Sequence, residues 1–280
     1  MIRVKAPNGV IYSRSELIPC PHGFSTRVGG VSTAPHTQSL NLGLDRGDGS
    51  DTVLENLRRF AEAVGFDPKR TVSARQIHSA RVVSLTEEQA GAGWFSPAVA
   101  DCDGLVSNTP LAVPAVRTAD CVPVLLYAPP RGDSFFGAVA AAHAGWRGTA
   151  GGIVREVVRQ LVALGAEVSM IRAAIGPSIG PCCYEVRADF YEAFSREAGV
   201  KMTERYVRPI PAREGVFLAD LRRVNRDWLT GLGIPAEQID LSEDCTACHP
   251  ELFFSHRYSG GVRGSLLSAI ALTESHSETR

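Results

Sequence analysis

Three apolar segments, 112–117, 121–127 and 135–143, follow one another in the middle of the chain and limit its fold more than any other feature. They are β-branched or small and apolar, and turn signals such as Pro129-Pro130-Arg131-Gly132 separate them. They therefore read as strands. Around them the pattern predicts a helix over 51–65, with Asp51 as N-cap, Leu54, Leu57 and Val64 at helical spacing, and Gly65 ending it. A strand is expected over 70–85, carrying Gln76 and His78. A helix follows over about 149–164, where Ile153, Val157 and Leu161 recur at i, i+4 and i+8 and Gly165 comes after its end. Residues 170–175 read as a strand closed by Gly176-Pro177, and helices are expected over 187–198, 218–230 and 264–274. Residues 7–50, rich in Gly, Ser, Thr and Asn, read as short strands and loops. Strands first with helices interspersed predict an α/β or α+β fold with a mixed sheet, rather than regular βαβ units.

The chain has 280 residues, enough to bury a sizeable core. No linker, low-complexity tract or repeat divides it, so a single domain over 1–280 is expected. With 29 Lys and Arg against 30 Asp and Glu, it lacks the basic excess of a nucleic-acid surface. A local basic pocket for a small anion stays compatible with that balance. The most apolar stretches, PVLLYAP and FFGAVAAAHAGW, fall short of the ~20 residues that span a bilayer. The opening MIRVKAPNGVIYS lacks the apolar run of a signal peptide. Together with an odd number of cysteines, seven, this predicts reduced thiols and a cytoplasmic location. Nothing in the sequence sets the oligomeric state or the physiological substrate.

His143 ends an apolar strand and is followed by Ala-Gly-Trp-Arg-Gly. A histidine there sits at the rim of a sheet, where ligand sites form; a core histidine bonded to backbone fits equally well. Cys121 lies in Arg-Thr-Ala-Asp-Cys-Val-Pro. If this segment is extended, Arg117, Ala119 and Cys121 share a face and Asp120 points the other way. A nearby Arg would favour the thiolate, although a packing cysteine fits as well. His78 alone says little. Together, His78, Cys121 and His143 form a set of three ligands, the pattern of a catalytic zinc site with one open position. Their spacing is unlike that of a zinc finger. Arg147, in the Gly-rich segment 145–152 entering a helix, is a candidate phosphate ligand, or the segment is a tight turn. Asp101 and Asp103 flank Cys102 and, at i, i+2 on an extended segment, share a face; they could orient a ligand histidine or bind a ribose, although Asp103-Gly104 reads slightly better as a turn signal. Cys245-x-x-Cys248-His249 resembles half a zinc site without a second pair, and Pro181-Cys182-Cys183 has no further signature. All of these are read as packing residues or supports.

These segments together resemble the YfiH/YlmD family, also called the laccase-domain or multicopper polyphenol oxidase family. The resemblance runs from about residue 20 to 270. It is carried by F-S-T-R-V-G-G-V-S (24–32), S-L-N-L-G-L (39–44), Q-I-H (76–78), A-D-C-D-G-L-V (100–106), R-T-A-D-C-V-P (117–123), H-A-G-W-R-G (143–148), A-I-G-P-S-I-G-P-C-C-Y-E-V (174–186) and C-T-A-C (245–248). It implies an α/β sandwich similar to the cytotoxic necrotizing factor catalytic domain, with zinc on His78, Cys121 and His143. It also implies phosphorolysis of adenosine, inosine and methylthioadenosine, with some adenosine deamination. In that reading phosphate sits near Arg147 or Arg117, and Ser39, Asn41, Asp101 and Arg263 are candidates to touch the nucleoside. Where the family commonly has T-G-R, this chain has Gly261-Val262-Arg263; Arg263 keeps the charge, and Val262 makes a glycine-type turn less easily.

Two rival chemistries remain. A cysteine hydrolase could use Cys121 with His143 as base, an amide-cleaving site suited to editing of peptidoglycan precursors. A copper oxidase would need His-x-His pairs, and the seven histidines form none. Cu2+ binding in vitro by two histidines and a cysteine is nonetheless chemically easy.

Overall fold

The computed structural model describes residues 1–132 and 134–273. The first six-stranded sheet runs, in spatial order, β1 (Ile2–Lys5), β2 (Ile11–Arg14), β3 (His22–Ser25), β15 (Leu266–Ile270), β7 (Val113–Thr118) and β4 (Thr71–Val72). The second runs β14 (Ile239–Leu241), β10 (Arg172–Ile175), β8 (Val122–Ala128), β9 (Ala138–Ala144), β6 (Gly104–Ser107) and β5 (Val82–Ser84). A small third sheet holds β11 (Glu185–Arg187), β13 (Val216–Ala219) and β12 (Val207–Pro209). Both large sheets are mixed: β4–β7, β5–β6 and β10–β14 pair parallel within otherwise antiparallel ladders.

The central strands are buried on both faces, and their alternation assigns the faces. From β8 and β9, Val124, Leu126, Ala140 and Ala142 pack toward a helical layer formed by α3 (Ile153–Ala163), α4 (Ala188–Ala198), α5 (Val200–Tyr206) and α6 (Leu221–Gly231). Leu125, Tyr127, Val139 and Ala141 instead meet Phe24, Val116 and Ile270 of the first sheet. On that sheet's outer face, α1 (Ser50–Val64) lays Val53, Leu57 and Phe60 against Tyr12, Val113 and Leu267. The result is the expected mixed α/β sandwich of two sheets between helices. His143 follows Val139 and Ala141 in the row that faces the other sheet, opposite Pro123. The strand pattern thus carries it to the open end of the intersheet space.

Four expectations change. Where a helix over 264–274 is expected, Leu266–Ile270 form β15 with irregular chain on either side up to residue 273, and residue 274 lies outside the described residues. Every residue of Leu266–Ile270 is buried, so no polar stripe exists for a helix to show solvent, and the backbone pairs with β3 on one side and β7 on the other. The 70–85 strand is two short strands, β4 and β5, with an irregular loop between them that carries Gln76 and His78. The 149–164 helix is broken by Gly151-Gly152, Gly152 being left-handed (φ 74°), into the single turn α2 (Trp146–Ala150) and α3. Gly49, not Asp51, caps α1; Asp51 lies in its first turn, where its charge suits the positive helix end. Gly65 ends α1 in the left-handed conformation, as expected.

Candidate active site

One strand end and two loops deliver three ligating side chains to one point. His143 arrives on β9. His78 is presented by the loop between β4 and β5 in a left-handed conformation, φ 61°. Cys121 stands in the turn between β7 and β8, just after Asp120, which is also left-handed at φ 91°. Their ligand atoms all lie within 4.8 Å of one another. Cys121 Sγ is 3.9 Å from His78 Nε2, and the two imidazoles meet edge to face at 4.8 Å between centroids.

Each strained presentation is held by hydrogen bonds. Asp103, fully buried, accepts from the backbone N–H groups of Ile77, His78 and Ser79 and from the Ser79 hydroxyl. Its Oδ1 also accepts a 2.8 Å hydrogen bond from the Nδ1–H of His143, which turns Nε2 of that ring toward Cys121. Gln76 exchanges two 2.8 Å hydrogen bonds with the Arg117 backbone and so ties the His78 loop to β7. Asp120 accepts from Thr246 Oγ1 at 2.6 Å and from the Arg257 backbone at 2.7 Å, fixing the turn that shows Cys121. Gly145 comes directly after β9 and caps α2. A Cβ there would lie 2.9 Å from the His78 ring, 3.3 Å from Cys121 Sγ and 3.6 Å from the His143 ring. Only glycine leaves the space among the three ligands open.

The charges follow from this packing. Burial alone would push the Cys121 thiol up, but the imidazoles, His143 first, pull it down from 9.0 to about 6. Burial opposes a charge on His143, yet Cys121 and Asp103 together raise it from 6.5 to about 9. Asp103 is buried too, and the hydrogen bonds from His143 and Ser79 still hold it at about 2. Without metal, the pair is a thiolate beside an imidazolium. This donor set, a ready thiolate and two imidazoles with one backed by a carboxylate, suits a borderline-soft divalent ion.

The three ligands open into a cavity of about 440 Å³, within the range of small-molecule sites. Its walls include Arg46, Gln76, Arg117 and Arg263. Arg117 lies 5.2 Å over the Trp94 ring. Arg263 donates to Gly264 O and Ser265 Oγ, and its Nε is buried without a partner. Burial, with the charge of Arg46 adding to it, lowers the proton affinity of Arg263; burial likewise lowers that of Arg117. A larger depression, about 650 Å³, is lined by Arg155, Met202 and Trp228 and contains no cysteine or histidine.

Several expected site residues lie elsewhere. Arg147 is exposed, with its guanidinium 4.3 Å over the Trp146 ring, and it does not line the cavity. The helix it opens is a single turn, so the anticipated anion site at its N-terminus is not built. Asp101 is held in a surface ion pair by Arg75. Ser39 and Asn41 do not line the cavity either. Ser39 Oγ accepts from Gly29 and Gly30, and Asn41 is fully buried and bonded to Asp48, Gly43 and Ser265. Both hold the loop that brings Arg46 to the rim. Arg117 and Arg263 do line the cavity, but Asp120 breaks the strand between Arg117 and Cys121, so the imidazoles and not Arg117 lower the thiol. Val262 is exposed, and Gly260 and Gly261 take the left-handed positions of that turn. Reading by residue type missed Arg46, Asp120 and Arg257; it offered a carboxylate of the Asp101/Asp103 pair to orient a ligand histidine but favoured a turn for Asp103, the one that does so. Only the recurrence of Asp beside Cys in A-D-C-D-G and A-D-C-V-P hinted at Asp120.

The family model described as "Multi-copper polyphenol oxidoreductase laccase" matches residues 21–273. The chain belongs to this family. It is 39% identical over 262 residues to a protein of Geobacillus stearothermophilus named purine nucleoside phosphorylase YlmD, covering 90% of each chain. It is 37% identical to an adenosine deaminase named RL5 from an unknown prokaryotic organism, covering 88% of this chain and 92% of that one. The crystal structure of a Bacillus licheniformis protein titled YfiH superposes with a TM-score of 0.86 at 35% identity, covering 96% and 97%. These relatives make the chain an enzyme of the laccase-like family. Despite the family description, the cavity holds one set of three ligands, and no methionine lines it. The other ligand group among the described residues is made of cysteines alone. That is not the histidine-rich setting of a multicopper cluster. No described helix is long and apolar enough to cross a membrane.

Proposed function

We propose that this enzyme cleaves purine nucleosides by phosphorolysis, with zinc held by His78, Cys121 and His143 and phosphate held by Arg117, Arg263 and Arg46. The observation that carries the reading is the union, in one cavity, of a three-ligand set and four lining arginines, Arg46, Arg75, Arg117 and Arg263, of which Arg75 is paired with Asp101 and Arg46 with Asp45, in a chain with no net basic excess. Phosphate is the small anion such arginines suit, because guanidinium makes paired hydrogen bonds to its oxygens. The names of the phosphorylase and deaminase relatives give the same substrate class.

In the proposed reaction an oxygen of hydrogen phosphate bonds to the ribose C1′ as the C1′–N9 bond breaks. The bonding pair leaves with the purine, which takes up the proton that phosphate gives up. The reacting carbon has oxocarbenium character, as in glycoside cleavage. Arg117 and Arg263 hold the nucleophile in line and neutralise it. Asp103 keeps the His143 ring oriented, and Gly145 keeps the space beside it clear. A bound zinc would supply Lewis acidity to the departing base. Adenosine, inosine and methylthioadenosine share the purine ribose that the reaction needs. Deamination of adenosine, in which water displaces the 6-amino group as ammonia, is a side activity of the same cavity. The seven free thiols fit a reducing, cytoplasmic setting. Chromatography of products from a nucleoside panel, with and without phosphate, tests the reading. Free base and ribose 1-phosphate formed only with phosphate support it; base release indifferent to phosphate contradicts it.

A second reading rests on the Cys121–His143 pair itself. A thiolate near pKa 6 beside an imidazolium is the resting state of a cysteine nucleophile. In that case the site is a metal-free amide hydrolase and His78 is a bystander.

A further inference from the structure

Away from the cavity, Cys182, Cys183, Cys245 and Cys248 bring four sulfur atoms within 4.8 Å of one another. The sequence suggests packing for these residues, since C-x-x-C lacks a second pair and Cys182-Cys183 has no signature. The fold supplies the missing half. It lays the segment after β10 beside the segment after β14, with Ser178 paired to Cys245 and Thr246 N donating to Ser178 O. We propose that these four cysteines form a second metal site, a mononuclear four-thiolate centre of the structural zinc class.

The geometry favours an ion over the other fates of clustered thiols. Cys248 Sγ lies 3.5 Å from Cys182 Sγ and 3.4 Å from Cys183 Sγ. Four Zn–S bonds of about 2.3 Å in a tetrahedron place the sulfurs about 3.8 Å apart, inside the observed spread. A disulfide needs one pair at about 2.05 Å and would leave two thiols crowded against it. An iron–sulfur cluster holds several irons between its ligands and needs them spread wider. Supporting contacts are also built. Gly180 N donates to Cys245 Sγ at 3.2 Å, and Cys248 N donates to Cys245 O, the tight turn of a C-x-x-C knuckle. A Cβ on Gly180 would lie 2.9 Å from Arg222 Nη2 and 3.3 Å from Cys182 Sγ. A buried guanidinium therefore stands close by to balance the negative charge that four thiolates give a divalent ion. Binding would release the thiol protons to solvent.

The site's place in the fold gives its role. The two segments it would join both grip Asp120: Ile179 N donates to its carbonyl and Thr246 Oγ1 to its carboxylate. Cys183 and Glu185 carbonyls receive the Arg257 guanidinium, whose backbone N–H also binds Asp120. The centre would staple, from behind, the turn that presents Cys121. None of the four cysteines lines the cavity, and the proposal does not depend on the activity assigned to it.

Metal counting on protein purified anaerobically tests it. The H78A/C121A double variant removes the cavity site. It is expected to keep one tightly bound zinc per chain, while C182S/C248S loses one relative to the parent and melts several degrees lower. Exchange of the retained ion for Co2+ should give the strong near-ultraviolet sulfur-to-cobalt absorption of several thiolates. Stepwise mercurial titration of the H78A/C121A chain should release the ion as the four thiols are consumed, which decides the matter even if C182S/C248S fails to fold. A double variant without tightly bound metal overturns the proposal. So does a retained ion without thiolate absorption, or a disulfide among these cysteines in freshly prepared, reduced protein.

Discussion

At the scale of single residues, the account turns on which side chains face the cavity. Arg117 and Arg263 line it and Arg147 does not. Arg117→Ala and Arg263→Ala should each raise KM for phosphate by about tenfold or more, the order of one lost charge-assisted contact. Arg147→Ala should change it by no more than about twofold. Steady-state kinetics with phosphate varied separates them, and an Arg147→Ala effect equal to that of Arg117→Ala would return the anion site to the β9–α2 turn. Asp103 yields a pH prediction. Its folded pKa, about 2, lies below the ~3.9 of an unfolded aspartate, so its stabilisation is present above about pH 4. It is lost as pH falls toward 2, and amounts to roughly 2 kcal/mol. Urea denaturation of chelator-treated protein between pH 5 and 2.5 should show this loss, with a flatter profile for Asp103→Asn. The same variant should weaken metal binding about 10- to 100-fold, because His143 loses the partner that orients it. The sequence made Asp103 look like a turn residue, because a turn aspartate and a buried one that collects five hydrogen bonds are identical until the fold brings His78 and His143 to it.

The elements show where pattern suffices and where it fails. Helix α1 was legible because one face is buried and the other wet, and β8 and β9 because their residues are β-branched or small. β15 was not: Leu-Leu-Ser-Ala-Ile is buried all round, and periodicity alone cannot separate a buried strand from a buried helix. Since β15 lies between β3 and β7, Leu267→Pro should remove the N–H that meets Ser25 Oγ and cost about 3 kcal/mol or more in chemical denaturation. A mild effect would argue that this segment is peripheral. The junction between β9 and α2 gives a second element-scale prediction. Gly145→Ala places a methyl among His78, Cys121 and His143, and it should lose the metal of that site while far-UV circular dichroism stays unchanged. Full occupancy in Gly145→Ala would mean that the three side chains do not converge on an ion.

For the whole molecule, the ligand trio was named from the sequence because the match to H-A-G-W-R-G, A-D-C and Q-I-H carried it; spacing along the chain did not. What stayed hidden was assembled from distant segments: Arg46 and Arg75 beside the expected Arg117 and Arg263, the Asp120 turn and the cysteine cluster behind it. Cys121 is proposed as a metal ligand in a nucleoside-cleaving site and not as a free nucleophile. Alkylation of Cys121, followed by peptide mass spectrometry alongside activity, tests it most directly. A ligand Cys121 gives slow labelling of the metal-loaded enzyme, faster labelling after chelation, loss of activity on chelation, recovery with zinc, and a His78→Ala variant almost as damaged as Cys121→Ala. Rapid alkylation of Cys121 in an enzyme that stays fully active under chelation, with His78→Ala nearly silent, would contradict it and make the site a cysteine hydrolase.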